Sequence, residues 1–201
     1  MKHFATPLRG RPSLDNLNGR LQAGQSVLVH GVAGAVGSMV TQLAREAGAY
    51  VIGTGRAADR QTALDFSAQE FVDLDNDTLE DVGEVDLVLD VIGGDIGKRS
   101  AGLIRAGGTL VSIVGPTEAR PADGLAVDFV VESDRTQLSE IVQRVRDGRP
   151  RTNIGNITTL DNAVAAFNWT ERRKGKISPD SRNGSNLLRL CNALVTMEVT
   201  P

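Results

Sequence analysis

Cysteine and histidine are nearly missing from this 201-residue chain, which has one cysteine, Cys191, and two histidines, His3 and His30. A lone thiol excludes an intrachain disulfide, and one thiol with two imidazoles leaves too few ligands for a zinc cluster. No apolar run approaches the ~20 residues that a helix needs to span a bilayer. Residues 1–20 also lack an apolar signal core, so export is not expected and the cytoplasm is the expected location. An excess of one charge is lacking too, since 22 basic residues face 25 acidic ones for a net charge of -3. That balance argues against nucleic acid and acidic membrane surfaces as partners. Hydrophobic residues at 40% and charged residues at 23% suit an ordinary globular domain able to bury one core.

Glycine is abundant, with 22 residues, and three of them punctuate SVLVHGVAGAVGS, Ser26 to Ser38. An apolar strand ending at Leu28 and Val29 breaks at Gly31, Gly34 and Gly37 and resumes as a helix. Gly31 permits a sharp turn off the strand, Gly34 lets backbone N–H groups approach a pyrophosphate, and Gly37 lets the helix pack on the strand. Unpaired N–H groups and the dipole at the helix N-terminus then favour a bound phosphate. Gly31, Ala33, Gly34, Ala35, Val36 and Gly37 are therefore the expected cradle. Val36, Met39, Val40, Leu43, Ala44 and Ala47 recur at helical spacing up to a stop at Gly48. Tyr50, Val51 and Ile52 then lead a second strand, completing the strand, helix and parallel strand of a mononucleotide-binding unit.

Units of this kind recognise the adenosine ribose with Asp or Glu about 20 residues past the glycines when the 2′-hydroxyl is free. Here that position carries Thr54, Gly55 and Arg56 instead, with Arg60 one helical turn later. Such a set suits a 2′-phosphate through charge-assisted hydrogen bonds and stacking of Arg on adenine. NADP(H) is the expected cofactor in preference to NAD(H). Asp59 lies close enough in sequence to compete for Arg56.

The segments HGVAGAVGSMVTQLAREAGAYVIGTGRAADR, VDLVLDVIGGD, GGTLVSIVGP and RKGKI follow one another in that order. Together, from about Leu21 to Ile177, they resemble the medium-chain dehydrogenase/reductase superfamily, and within it the zinc-independent quinone oxidoreductase-like branch. The resemblance implies a Rossmann-type domain over residues 21–178, NADPH as hydride donor, and a quinone or α,β-unsaturated carbonyl as substrate. It also implies an N-terminal barrel-like domain that completes the substrate cleft. About two dozen residues precede the cradle, without the repeated short strands of a barrel, so the cofactor domain alone is expected. Residues 1–20 and 179–201 match no part of the pattern and are expected to be atypical terminal segments.

Strands and helices continue to alternate beyond the second strand, which predicts an α/β fold: a doubly wound, mainly parallel sheet with helices on both faces. Strands are expected at 70–73 and 85–91, the latter ending in a Gly93–Gly94 turn at the edge where open parallel sheets bind ligands. Val91, Ile92 and Gly93 are expected to border the nicotinamide half. A helix over 96–105, a turn at Gly107 and Gly108, and a strand over 109–114 should follow, bringing Val114 and Gly115 beside the cofactor as well. The resemblance further implies that Lys176, within RKGKI, meets cofactor or substrate near the final strand. It also implies that the segment 126–132 pairs across a dimer two-fold, and its apolar, β-branched AVDFVVE pattern would otherwise be an exposed edge. A homodimer is the expected assembly. A helix over 135–147 should bury Leu138, Ile141, Val142 and Val145, and a short helix is expected over 160–167.

No catalytic acid or base can be named. A short-chain dehydrogenase needs Tyr followed four residues later by Lys, whereas Tyr50 is followed by Thr54. Ser38 has no basic partner in the cradle. The Asp73, Asp75 and Asp77 run reads as a solvated loop, with weak calcium binding as the alternative, and Asp90 reads as the cap of a turn. Two functions remain: an NADPH-dependent reductase of a quinone or enone, and a catalytically inactive NADP(H)-binding or structural dimerisation module.

Overall fold

The computed structural model describes residues 21–115, 119–128, 134–158 and 176–179. Described residues up to Arg151 belong to one unit and those from Thr152 onward to a second, where the sequence suggests a single domain over 21–178.

In the first unit, β1 (Ser26–Val29), β2 (Tyr50–Gly55), β3 (Glu70–Asp73), β4 (Val85–Asp90), β5 (Ile104–Ser112) and β6 (Gly124–Asp128) form one sheet. Its order is β3-β2-β1-β4-β5-β6 and every pairing is parallel. The chain steps outward from β1 to β3, then crosses to the other side of β1 to lay down β4. The winding direction therefore reverses between β1 and β4, and the crevice at the C-terminal ends of these two strands is the usual ligand position in such sheets.

Among the described residues, four α-helices follow the strands: α1 (Ala35–Glu46), α2 (Arg60–Asp65), α3 (Gly94–Ala101) and α4 (Arg135–Arg146). Side chains alternate across the sheet, so Val27 and Val29 enter one core with Val40 and Ala44 of α1 and Ala63 of α2. Leu28, Val88 and Leu110 point the other way, into a second core that includes Ala101 of α3. Both faces of the sheet are thus dry, as the near-continuous apolar strands require. Each fully buried Val or Leu contributes roughly 1.5 to 3 kcal/mol of transfer free energy. The doubly wound α/β architecture is as expected from the sequence.

Two elements are bounded differently from expectation, and a third is less buried. First, α3 stops at Ala101 and β5 already begins at Ile104, so Gly107 and Gly108 lie inside a strand rather than forming a turn into one. Gly107 has φ +75°, and the register between β4 and β5 shifts between Val85 and Leu87, so the left-handed residue absorbs a bulge. Gly108 pairs with Gly124, and a Cβ on Gly124 would lie 2.8 Å from the Gly108 carbonyl oxygen. Close strand approach, not chain reversal, is what these glycines serve.

Second, β6 spans Gly124–Asp128 as an edge strand; the rest of the segment expected at a dimer interface lies outside the described residues. Third, α4 starts where Asp134 caps it, its carboxylate accepting from the Thr136 and Gln137 N–H groups at 2.8 and 3.1 Å. Leu138, Ile141, Val142 and Val145 on this helix are half-buried rather than fully buried.

In the second unit, β7 (Ile154–Thr158) pairs in parallel with β8 (Lys176–Pro179). That strand begins within RKGKI, as the resemblance implies. The helix expected over 160–167 lies outside the described residues. Among those described, no helix is long and apolar enough to cross a membrane.

Candidate functional site

Three loops meet at the C-terminal edge around β1: residues 30–34 after β1, 91–93 after β4, and 113–115 after β5. Gly31 turns the chain with φ +62°, and a Cβ there would lie 2.8 Å from Val91 Cγ2 and 3.8 Å from Ile92 Cγ1. Gly93 is similarly close to Val114, whose Cγ1 a Cβ would approach to 3.3 Å. The structure thus brings Gly31, Val91, Ile92, Gly93 and Val114 together. Ile92 and Val114 are exposed apolar side chains, and Gly115 beside them is exposed as well.

Helix α1 opens on Gly34, which offers no side chain to cap it, and its first turn carries no acid. Gly34, Ala35 and Val36 are solvent-exposed, so the first N–H groups of the helix face outward over residues without bulky polar groups. A helix start left uncapped by its own chain is a ready anion site. Gly37 is buried, and its Cα packs so tightly on the first turn that a Cβ would sit 2.9 Å from both the Gly31 carbonyl carbon and Val32 Cα. The glycine spacing therefore has a direct steric basis.

The end of β2 separates the residues that the sequence grouped together. Arg56 is exposed, and among the described residues its guanidinium has no ion-pair partner. Asp59 engages the Arg56 backbone instead: the Arg56 N–H donates to Asp59 Oδ2 at 3.3 Å, and the Asp59 N–H donates to the Arg56 carbonyl at 2.7 Å. Arg60 turns away, donating to the Phe71 carbonyl at 3.3 Å, stacking 5.0 Å from the Phe71 ring centroid and lying 3.8 Å from Asp77. Thr54 requires a correction, because its side chain is fully buried and cannot face a ligand. Gly55 is also buried, under Asp59 and Phe71.

Thr54 belongs to a polar network under the loops. His30, fully buried, places Nδ1 2.8 Å from Thr54 Oγ1 and Nε2 2.6 Å from Ser100 Oγ. Ser100 gives its one proton to the Ile96 carbonyl at 2.7 Å, so it accepts from Nε2–H. Nδ1 then accepts from the Thr54 hydroxyl, which assigns the neutral Nε2–H tautomer. Burial pushes the imidazole down to about 4 against the opposing charge of Asp90.

As pH falls, the unfolded chain takes up this proton near 6.5 while the folded one resists to about 4. The stability supplied by neutral His30 is complete above that window and is lost across it, about 3 kcal/mol in all. Urea unfolding of the wild type and His30→Gln at about pH 7 and about pH 4.5 should show the wild type losing more. Equal losses would contradict a neutral, buried imidazole.

Asp90, fully buried at the end of β4, accepts from the Ile92 and Gly93 N–H groups at 2.9 and 2.8 Å through Oδ1. Among the described residues its Oδ2 has no hydrogen-bond partner, and it rests on α3, where a Cβ at Gly97 would approach it to 2.5 Å. The capping role expected for Asp90 is what the structure shows. Ser100 and the paired role of His30 were not legible in the sequence, where His30 stands out only as one of two imidazoles.

Asp73 is held below the usual carboxylate range first by the Asn76 side-chain hydrogen bond, with the Asp75 and Ala57 N–H groups and Arg60 adding to it against burial. Asp77 in turn accepts from the Asp73 N–H at 2.8 Å. This acidic run closes its own loop. Among the described residues, no group of three or more His, Cys, Asp or Glu is placed to hold a metal ion. Lys176 heads β8 opposite Ile154 in the second unit.

Residues 35–148 match the family model described as zinc-binding dehydrogenase, which is more than half of the chain. The chain belongs to this family. It is a zinc-binding dehydrogenase relative within the medium-chain dehydrogenase/reductase superfamily, whose members use a nicotinamide cofactor. The described side chains do not fit the metal in the family's name.

The chain is 31% identical to a quinone oxidoreductase of Mus musculus, covering 78% of this chain and 54% of that one. It is 28% identical to a 2-methylene-furan-3-one reductase of Solanum lycopersicum, covering 77% and 40%. A solved quinone oxidoreductase from Coxiella burnetii superposes with a TM-score of 0.70 at 25% identity, covering 84% of this chain and 57% of that one. The chain therefore spans about half the length of these three relatives.

Proposed function

We propose that the C-terminal edge of the β1–β4 crevice binds NADP(H). The pyrophosphate would lie on Gly31, Ala33, Gly34, Ala35, Val36 and Gly37, with the α1 N-terminus supplying N–H donors and a favourable dipole worth roughly 0.3 to 1 kcal/mol. Arg56 would meet the 2′-phosphate, next to Gly55 at the end of β2. Val91, Ile92, Gly93, Val114 and Gly115 would border the nicotinamide and keep water from one of its faces. The observation that carries this reading is the uncapped, acid-free start of α1 beside a guanidinium with no ion-pair partner among the described residues. Lys176 enters through its match to RKGKI.

The activity proposed for the protein is hydride transfer from NADPH to a quinone or α,β-unsaturated carbonyl, without zinc. It is supported by the names of the mouse and tomato relatives. When bound, the cofactor supplies the hydride, and the apolar Ile92 and Val114 at the mouth suit a flat, apolar acceptor. The proposed assembly is a homodimer through the segment 126–132, since β6 is an edge strand whose Leu125 is 46% exposed and unpaired edges invite pairing.

A second reading, a cofactor-binding or dimerisation module without chemistry, is favoured by one feature. Val91, Ile92, Gly93, Val114 and Gly115, at the proposed nicotinamide edge, carry no acid or base. Calorimetric titration with NADPH, NADP+ and NADH, followed by NADPH oxidation with a panel of quinones and enones, separates the two. Tighter binding of the phosphorylated cofactors with oxidation above the uncatalysed rate is expected. Binding without turnover at high protein concentration supports the cofactor-binding module, and no binding rejects the enzyme and leaves only the dimerisation module.

A further inference from the structure

His30 hydrogen-bonds to three elements. Its backbone N–H donates to the Leu89 carbonyl of β4 at 3.0 Å, its Nδ1 meets Thr54 on β2, and its Nε2 meets Ser100 on α3. We propose that His30 is a positioning residue that, through Ser100, seats α3 and thereby the Ile92–Gly94 turn on the nicotinamide side of the site. This rests on the cofactor site proposed above and concerns which half of the cofactor feels the network.

The two side-chain bonds are unequal in what they determine. Thr54 sits in a strand laddered to β3 on one side, with its carbonyl accepting from the Val32 N–H at 3.1 Å on the other. Losing the Nδ1 bond leaves that backbone, and Arg56 two residues on, where they are. By contrast, α3 is a helix of eight residues that starts from two glycines with φ +75° and +61°. Its polar ties include the Asp90 cap at its start and the Arg99–Glu80 pair at 2.6 Å. That pair is bidentate, at 2.7 and 2.6 Å, but lies partly in solvent, where water and salt screen it. The Ser100 bond is buried, and breaking it leaves an imidazole N–H without a partner in the core. A shift of α3 is transmitted through Gly97, packed on Asp90 Oδ2, to the carboxylate that holds the Ile92 and Gly93 N–H groups.

Two conservative replacements divide the roles. The Gln amide nitrogen stands as many bonds from Cβ as imidazole Nε2, so His30→Gln keeps a donor toward Ser100 and gives up the acceptor for Thr54. Asn places its oxygen where Nδ1 was, so His30→Asn keeps Thr54 and gives up Ser100. Ser100→Ala removes the acceptor while leaving the imidazole volume in place, and it carries the test if His30→Asn fails to fold.

The wild type and the three variants would be titrated calorimetrically with NADPH and with 2′-phospho-ADP-ribose, which lacks only the nicotinamide. His30→Asn and Ser100→Ala should weaken NADPH about fivefold or more while the fragment stays within about twofold, and His30→Gln should retain NADPH affinity. A merely structural role predicts parallel losses for both ligands. Parallel losses, no loss, or a loss in His30→Gln equal to that in His30→Asn would overturn the assignment. A wild type that binds neither ligand would reject the cofactor site itself, and this role with it.

Discussion

Arg56→Ala is expected to weaken NADPH binding by about tenfold to a hundredfold while changing NADH binding by no more than about twofold. The range follows from one hydrogen bond between a guanidinium and a phosphate, worth about 1.5 to 3 kcal/mol. NADH presents a ribose hydroxyl at that point and has no phosphate to lose. The structure sharpens the expectation, because Asp59, the natural competitor for the guanidinium, is occupied with the Arg56 backbone. Arg60 offers no substitute, being committed to Phe71 and Asp77. Arg56→Lys should retain part of the preference, since an ammonium provides charge without the planar fork. Calorimetry with the two cofactors at one ionic strength reads the result directly, and equal losses for NADPH and NADH would reject the 2′-phosphate assignment.

Gly37→Ala should abolish measurable binding of both cofactors alike and lower stability by about 1 to 3 kcal/mol. Its new methyl group would fall on the Gly31 carbonyl and within 2.9 Å of Val32 Cα. All of these are backbone atoms, so no rotamer change relieves the clash, and the first turn of α1 must lift away from the loop. The N–H groups that would meet the pyrophosphate move with it. Thermal or urea unfolding gives the stability loss, and calorimetry gives the binding loss. A variant that folds and still binds NADPH with wild-type affinity would show that the glycine loop is not the phosphate site. The contrast with Arg56→Ala is diagnostic, since one change discriminates between cofactors and the other does not.

Much of the architecture was legible because its signals are local. The apolar strands, the helical spacing from Val36 to Ala47 and the glycines at 31, 34 and 37 are patterns within a few residues of one another, and backbone sterics give them one meaning. Gly107 and Gly108 were misread as a turn for a related reason: glycine marks an unusual backbone or a close approach, and only the neighbouring strand decides which. Here β4 and β6 decide it, through a bulge at Gly107 and a tight crossing at Gly108. The grouping of Thr54 with Arg56 failed because Thr54 lies inside β2, where its buried hydroxyl is claimed by His30, whereas Arg56 lies past the end of the strand and is exposed.

The sequence by itself determined the parallel, doubly wound sheet, the glycine turn of its first loop and the basic residue at the end of β2. Each depends on propensity, periodicity or the lack of a Cβ, which neighbouring residues express without help from the rest of the fold. The tertiary structure alone decided which polar groups act together. His30 meets Thr54 across 24 residues and Ser100 across 70, and Asp90 reaches α3 only because β4 ends beneath it. Such partnerships depend on how distant segments are packed, and in the dry interior between a sheet and its helices each buried polar group must find whichever partner the fold brings within reach.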